Sequence, residues 1–337
     1  MLALPHPDVA PLRGGPTLRW GILAPGVIAN DFVSTLHANT DQRAVAVASR
    51  SLERAEAFAA RHEIPRHYAG YEQLVADPDV DVVYVAAPHS EHRALALLAI
   101  AAGKHVLIEK PIALNAGEAR EIATAARAAG VFAMEAMWTR YLPQSAVIAR
   151  LLDDGALGDV KLVTVNLGWQ WAYDPTSRGY DPALGGGAML DAGVYSLWFS
   201  HFVLGAPTSI QAAGILAETG VDTQAVVTLD HGGRAQSMVS TTILVNTPGL
   251  ATIHGTGASL EFTQNFVFPA DFVVTEGDER LDWRNTGPTG RDGLAWQAVA
   301  LAGYVHEGRT DSPLHCLDDA IEVMETIDAV RAQVGAR

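Results

Sequence analysis

Three side chains in this sequence could carry out proton-coupled chemistry together: Lys110 in Glu109-Lys110-Pro111, and Asp191 and Tyr195 in the run Gly185-Gly186-Gly187-Ala188-Met189-Leu190-Asp191-Ala192-Gly193-Val194-Tyr195. Asp191 and Tyr195 are four positions apart, so on a helix both project from one face, one turn apart. A carboxylate placed there orients a phenol beside a substrate oxygen. Pro111 biases Lys110 toward an extended backbone. An ammonium there can hydrogen-bond a hydroxyl or carbonyl oxygen and offset negative charge as hydride leaves or arrives. A free phenol titrates near pH ~10, so as a base near neutrality it needs a neighbouring cation; Lys110 favours that ionisation and Asp191 opposes it. The set suits hydride transfer at a carbinol carbon.

These residues need elements to hold them. From Leu18 to about Met137, strand and helix patterns alternate, the signature of a parallel sheet wrapped by helices. The strands are expected at Leu18 to Leu23, Ala44 to Ala48, Val80 to Ala86, His105 to Ile108 and Val131 to Met134, short apolar runs suited to burial on both faces. Helical patterns lie between them at Ile28 to Leu36, Leu52 to Arg61, Glu91 to Ala102 and Ala116 to Ala129. Gly103 and Gly130 fall where left-handed caps would end two of these helices. After Arg140-Tyr141-Leu142-Pro143 the pattern changes. A helix from Gln144 to Leu152 leads into longer strands of alternating polarity at Val160 to Trp171, Ile210 to Leu216, Thr223 to Leu229, Ala235 to Thr242, Ala251 to His254 and Phe266 to Thr275. That period favours a half-exposed antiparallel sheet, with one face on the helix that begins near Gly187. Ile321, Met324, Ile327, Val330 and Val334 mark a last helix from Leu317 to Val334. The expected fold is α/β: a doubly wound parallel sheet, then an α+β domain with a large, mainly antiparallel sheet. The expected divisions are a flexible arm over 1–17, a dinucleotide-binding domain over 18–140, a substrate and dimerisation domain over 141–313, and a terminal helix over 314–337 packing back on the first domain.

The turn after the first strand reads Ala24-Pro25-Gly26-Val27-Ile28-Ala29, a variant of the glycine fingerprint that receives a dinucleotide pyrophosphate, with alanine in the first glycine position. Gly26 would let the backbone approach the phosphates, and Ala29 would let the helix sit close to the sheet. If Ala24 requires positive φ, its Cβ costs on the order of 1 kcal/mol. The second strand ends in Ala48-Ser49-Arg50-Ser51 rather than in the acidic residue that takes an adenosine ribose. Ser49, Arg50 and Arg54 instead suit a 2′-phosphate, so NADP is expected over NAD, with NAD still possible. Ala87, Pro88, His89 and His92 follow the third strand at the sheet's carboxyl end, and with Glu109 complete the expected nucleotide-facing set. The two histidines lack the i, i+4 spacing and thiolate support of a helical zinc pair, so no metal is expected.

At 337 residues the chain exceeds what one core usually fills, and two domains are expected. Acidic residues outnumber basic ones 38 to 23, a formal charge of −15, which argues against nucleic acid and anionic membrane as partners. A single cysteine, Cys316, excludes an internal disulfide and suits a reducing compartment, and no apolar stretch spans a bilayer. A cytoplasmic protein is expected.

Taken together, Ala24 to Ala29, Ser49-Arg50, Glu109-Lys110-Pro111 and the run from Gly185 to Tyr195 resemble the glucose-fructose oxidoreductase, inositol dehydrogenase and MocA (Gfo/Idh/MocA) family. Met137-Trp138-Thr139-Arg140-Tyr141 and Tyr195 are similar to its dimeric dihydrodiol dehydrogenase and NADP-dependent D-xylose dehydrogenase branch; inositol dehydrogenases usually have histidine at the position of Tyr195. The resemblance implies a Rossmann domain followed by an open-faced sheet used in homodimer formation, with the active site between them. It also implies a catalytic lysine at Lys110, a helix aspartate at Asp191, and Tyr195 as general acid or base. The implied substrate is a small sugar, polyol or cyclic diol. Arg140, Trp169, Trp171, Tyr173, Arg178 and Tyr180 are candidates for contacting it, since aromatic rings beside cations suit sugar faces and hydroxyls. Two other functions occur on this fold: a glycosidase using transient redox, which would retain NAD, and a cofactor-sensing regulator, which would lack the proton-handling side chains.

Overall fold

The computed structural model describes residues 3–336, in two compact units. The first unit takes Val9–Leu142 and Gly290–Ile321; the second takes the residues up to Asp8, Pro143–Thr289, and the chain from Glu322 onward.

The first unit is built on β1 (Arg19–Leu23), α1 (Val27–Asn39), β2 (Arg43–Ser49), α2 (Leu52–His62), β3 (Arg66–Ala69), α3 (Tyr71–Val75), β4 (Val82–Val85), α4 (His92–Ala101), β5 (His105–Ile108), α5 (Ala116–Ala129) and β6 (Ala133–Glu135). All neighbouring strands pair in parallel, in the order β3-β2-β1-β4-β5-β6. This is the doubly wound order whose switch point, between β1 and β4, opens a crevice at the strand ends. Every residue of β4 is buried, as its Val-Val-Tyr-Val composition demands. Ser51 Oγ caps α2 by accepting Arg54 N–H, and Asn115 Oδ1 caps α5 by accepting Glu118 N–H at 3.0 Å. Gly103 (φ +73°) and Gly130 (φ +65°) are left-handed, as the sequence requires. Sequence reading missed β3 and α3: β3 is a sheet-edge strand of Arg-His-Tyr-Ala, with no apolar run to mark it.

Ala24 adopts φ +61°, the left-handed region expected for the missing fingerprint glycine. Its N–H donates to Ala48 O at 3.1 Å, which ties the turn to β2. Ala24→Gly is therefore expected to raise the unfolding free energy by up to about 1 kcal/mol in urea titration, and a net loss of stability would contradict the strain argument.

The second unit holds α6 (Pro143–Asp153), β7 (Val160–Gly168), α7 (Val194–Leu204), β8 (Ser209–Leu216), β9 (Asp222–Asp230), β10 (Gln236–Thr242), β11 (Ala251–Gly255), β12 (Ser259–Phe262), β13 (Phe272–Glu276) and β14 (Glu279–Trp283). Its strand order is β14-β13-β12-β11-β7-β10-β9-β8, antiparallel except for the parallel β7–β10 pair. Alternation sorts the faces. Val163, Val165, Val227, Leu229 and Val239 are buried on the side where α7 packs, whereas Val226, Met238 and Ile215 are about half exposed.

The strand expected from Phe266 to Thr275 begins only at Phe272, and two domain divisions also differ from the sequence reading. The helix α8 (Leu294–His306), missed because it is apolar nearly all round, packs on α1 and so draws 290–321 into the first unit. The last helix, α9 (Leu317–Val334), does not return whole to the first unit. From Glu322 it groups with the second, where Thr326 Oγ1 meets His201 Nε2 at 2.9 Å and Gln333 Oε1 accepts Ala212 N–H at 2.8 Å. Residues 3–17 have no regular structure, yet Arg13 donates to Ala38 O, Thr40 O and Asp41, and Gly14 N–H to Asp41 Oδ2 at 2.7 Å. Residues 1 and 2 of the expected arm lie outside the described residues. Among the described residues no helix is long and apolar enough to cross a membrane.

Candidate active site

The first unit carries the nucleotide features and the lysine. Gly26 is the N-cap of α1 and offers no side-chain cap, and the first turn of α1 contains no acidic residue. A helix start of this kind, with no side-chain cap and no acid in its first turn, suits an anion. A Cβ on Gly26 would meet nothing nearer than Ala24 O at 3.9 Å, so the backbone there is open to approach. Pro25 is buried, Ile28 half-buried and Val27 83% exposed, while the fully buried Ala29 seats the helix on the sheet. At the end of β2, Ser49 is buried and its Oγ accepts Ser51 N–H at 3.3 Å. Arg50 and Arg54 are exposed, and both act electrostatically on Tyr71, a neighbour that sequence reading missed.

Not every residue assigned to the nucleotide lies open to it. Ala87 and Pro88 are half-buried, and His89 is buried with its ring 5.6 Å from that of His92. His92 is a buried strut: Nδ1 faces Pro111 O at 2.8 Å and Nε2 faces Ala87 O at 2.9 Å, joining two loops. Burial pushes its pKa down. Glu109 is likewise turned inward, where its carboxylate accepts the Tyr84 hydroxyl and, at 3.2 Å, the Lys110 N–H. Burial raises its pKa, opposed first by the Tyr84 hydrogen bond. Lys110 itself is half-buried, and the Lys110–Pro111 peptide is cis.

The second unit carries the aspartate and the tyrosine. The first three glycines of the run each have their own reason. Gly185 is left-handed at φ +77°, and a Cβ on Gly186 would lie 2.9 Å from Gly179 O. Gly187 has φ +120°, and its Cβ would sit 2.5 Å from Asp222 Oδ1. The expected helix begins as a π-helical turn, Met189–Gly193, before α7. Asp191 and Tyr195 thus straddle the junction, both buried. Such wide turns recur at functional sites. Asp191 Oδ2 accepts Trp169 Nε1–H at 3.0 Å and Oδ1 accepts Arg178 at 3.3 Å, while the Arg178 guanidinium lies 4.5 Å from the Trp171 ring centre. Asp191, Trp169 and Arg178 are therefore brought together as a cluster.

Two other substrate candidates are buried. Tyr180 is buried and its hydroxyl donates to Trp171 O at 3.2 Å, with Tyr173 edge-on against it. Arg140 is buried in the first unit and its Nε donates to Leu314 O at 3.0 Å.

Asp222 was also missed. This fully buried carboxylate accepts Met189 N–H at 2.7 Å and so anchors the π-helical turn. Desolvation raises its pKa to about 6, opposed by the Met189 hydrogen bond and by Arg331. A group whose pKa is raised on folding stabilises most below its unfolded pKa, and that contribution is lost as pH rises through the folded value. Between about pH 4 and 6 the wild type should lose on the order of 3 kcal/mol relative to Asp222→Asn. Urea titrations of both proteins across that window test this, and parallel curves would contradict it.

Comparison with known proteins decides the family. Residues 18–137 match the pattern described as "Oxidoreductase family, NAD-binding Rossmann fold", and residues 146–261 match the GFO/IDH/MocA C-terminal domain. The chain belongs to the Gfo/Idh/MocA oxidoreductase family. It is an oxidoreductase with an NAD(P)-binding Rossmann domain. Trans-1,2-dihydrobenzene-1,2-diol dehydrogenase of Xenopus tropicalis is 37% identical to this family member over 94% of the chain and 98% of the relative. The Homo sapiens protein of the same name is 34% identical over 94% and 97%. Among solved structures, a 3-ketoreductase from Actinomadura kijaniata with NADP and TDP-benzene has a TM-score of 0.82 at 26% identity, covering 95% of this chain and 98% of its own. A levoglucosan dehydrogenase with NADH and levoglucosan has a TM-score of 0.86 at 20% identity, covering 94% and 97%, and so shares the fold.

Proposed function

We propose that this oxidoreductase is an NADP-dependent dehydrogenase of a small cyclic diol, polyol or aldose, with Lys110 and Tyr195 handling the substrate hydroxyl proton. The observation that carries this reading is the cluster around Asp191, a carboxylate fixed by an indole and a guanidinium on the helical segment that bears Tyr195. Full-length relatives named for a cyclic diol support the substrate class.

The residues present fit a dinucleotide. The amide end of α1, open at Gly26, suits the pyrophosphate, and Arg50 with Arg54 suits a 2′-phosphate. When bound, the nicotinamide supplies the hydride acceptor. Tyr195 takes the hydroxyl proton as the carbinol is oxidised and returns it in reduction. Lys110 adds positive charge that favours the phenolate and steadies the developing oxyanion. Asp191 alone would oppose the phenolate, but Arg178 and Trp169 draw on its charge and hold it still. Trp169, half-buried beside Asp191, offers flat apolar surface for a ring.

The half-exposed Val226, Met238 and Ile215 on the outer sheet face fit a second copy of the chain. Sedimentation should report a dimer that Met238→Lys weakens.

The reading is tested by following NADP⁺ and NAD⁺ reduction against vicinal cyclic diols, aldoses and inositols. NADP⁺ should be preferred, and Arg50→Ala should raise its KM at least about tenfold while leaving that of NAD⁺ within about twofold. A preference for NAD⁺ would overturn the nucleotide assignment, and inactivity on every class would overturn the substrate class.

A further inference from the structure

We infer that Glu135, paired with His315, is a positioning residue for Lys110, holding the backbone of the turn that presents the ammonium. The inference rests on the catalytic role proposed for Lys110.

Glu135 ends β6 in register with Ile108 of β5, the strand that leads into Glu109-Lys110-Pro111. From there its carboxylate reaches past the lysine. Oε1 accepts Ile112 N–H at 2.8 Å, and Oε2 meets His315 Nε2 at 2.8 Å. Glu135 is 2% exposed and His315 3%. With His92 on Pro111 O and Glu109 on Lys110 N–H, three consecutive residues of the turn are gripped by buried side chains.

His315 is itself held. Ser312 Oγ accepts the N–H groups of Leu314 and His315 at 3.2 and 3.3 Å and shares a hydrogen bond with the Tyr141 hydroxyl at 2.8 Å, while Arg140 Nε donates to Leu314 O. This gives the Trp138-Thr139-Arg140-Tyr141 motif a task that substrate contact does not explain. Arg140 and Tyr141 fix the 312–315 loop, the loop places His315, His315 orients the Glu135 carboxylate, and Glu135 fixes Ile112.

A buried ionisable pair adds little net stability over an apolar filling of the same volume, so stability alone is a weak reason for this one. Geometry is a stronger reason. A reacting group displaced by about 1 Å can lose on the order of 10²-fold in rate. One hydrogen bond two residues from Lys110 controls that displacement directly.

The test compares Glu135→Ala, Glu135→Gln and His315→Gln, alone and combined with Lys110→Ala. Glu135→Ala should lower kcat at least about tenfold while NADPH dissociation stays within about twofold. Glu135→Gln, which keeps an acceptor for Ile112 N–H, should recover most of that loss. In the Lys110→Ala background, Glu135→Ala should cost less than about threefold more, because the group it positions is gone. Equal losses in both backgrounds, or an undiminished kcat in folded Glu135→Ala, would overturn the inference. If Glu135→Ala does not fold, His315→Gln takes its place with the same criteria. Amide hydrogen exchange separates this outcome from the fate of the proposed activity. Exchange over residues 109–113 should accelerate in the variant while 23–29 stays as in wild type. If the wild type oxidises no substrate but exchange responds, the functional reading falls and the positioning stands. Unchanged exchange overturns the positioning whatever the activity.

Discussion

Lys110→Ala is expected to lower kcat by about 10²- to 10³-fold, and Tyr195→Phe by about 10²- to 10⁴-fold, with NADPH still bound in both. In the proposed mechanism the two losses have different origins. Removing the ammonium takes away charge that steadies the oxyanion and favours the phenolate. Removing the hydroxyl takes away the proton acceptor itself and leaves the ring to fill its buried site. In the proposed mechanism both residues act on one proton transfer, so the double variant should lose less than the product of the single losses. Steady-state kinetics with fluorescence titration of NADPH decides the matter. Unchanged kcat in either variant removes that residue from the mechanism, and a loss confined to NADPH binding reassigns it to the nucleotide.

Gly187→Ala has the second large expected effect, on folding rather than on rate. A non-glycine residue at φ +120° costs roughly 1–3 kcal/mol, and the new Cβ would stand 2.5 Å from Asp222 Oδ1. Asp222 cannot retreat without releasing Met189 N–H and with it the start of the π-helical turn. The summed cost should reach on the order of 3–5 kcal/mol and reduce activity through a displaced Asp191. Gly303→Ala is the control. That glycine lies inside α8 with nothing within 4 Å of its Cβ position, so alanine should leave stability unchanged or raise it by up to about 1 kcal/mol. Thermal and urea unfolding of the two variants would show the contrast, and equal stabilities would refute the steric account of the glycine run.

The parts of the fold that were legible in the sequence are those that local physics controls. Val-Val-Tyr-Val of β4 reads as a buried strand whatever surrounds it, and Gly130 reads as a helix end because a left-handed residue is needed there. The Ala24 strain was legible for the same reason. Edge strands β3 and β14 were not, since Arg-His-Tyr-Ala and Glu-Arg-Leu-Asp-Trp become strands only through the neighbours they pair with. The side chains that surround the candidate residues divide in the same way. Asp191 was visible through its spacing from Tyr195, and Trp169 and Arg178 through their types. Arg140 and Tyr180 have the same chemical types yet are buried with hydrogen bonds to backbone carbonyls, which residue type does not report. Glu135, an acid at the end of a parallel strand, left a signal that the sequence reading did not use. Asp222 and His315 left none, since each is brought into place from a distant part of the chain.

The most direct test of the central claim follows one hydrogen. A substrate that NADP⁺ oxidises, carrying deuterium at its carbinol carbon, should deliver that deuterium to the reduced nucleotide and give a slowed turnover. Tyr195→Phe should retain the transfer while losing rate. Deuterium recovered in the solvent, with unlabelled NADPH, would contradict direct hydride transfer and the proton-handling roles of Lys110 and Tyr195.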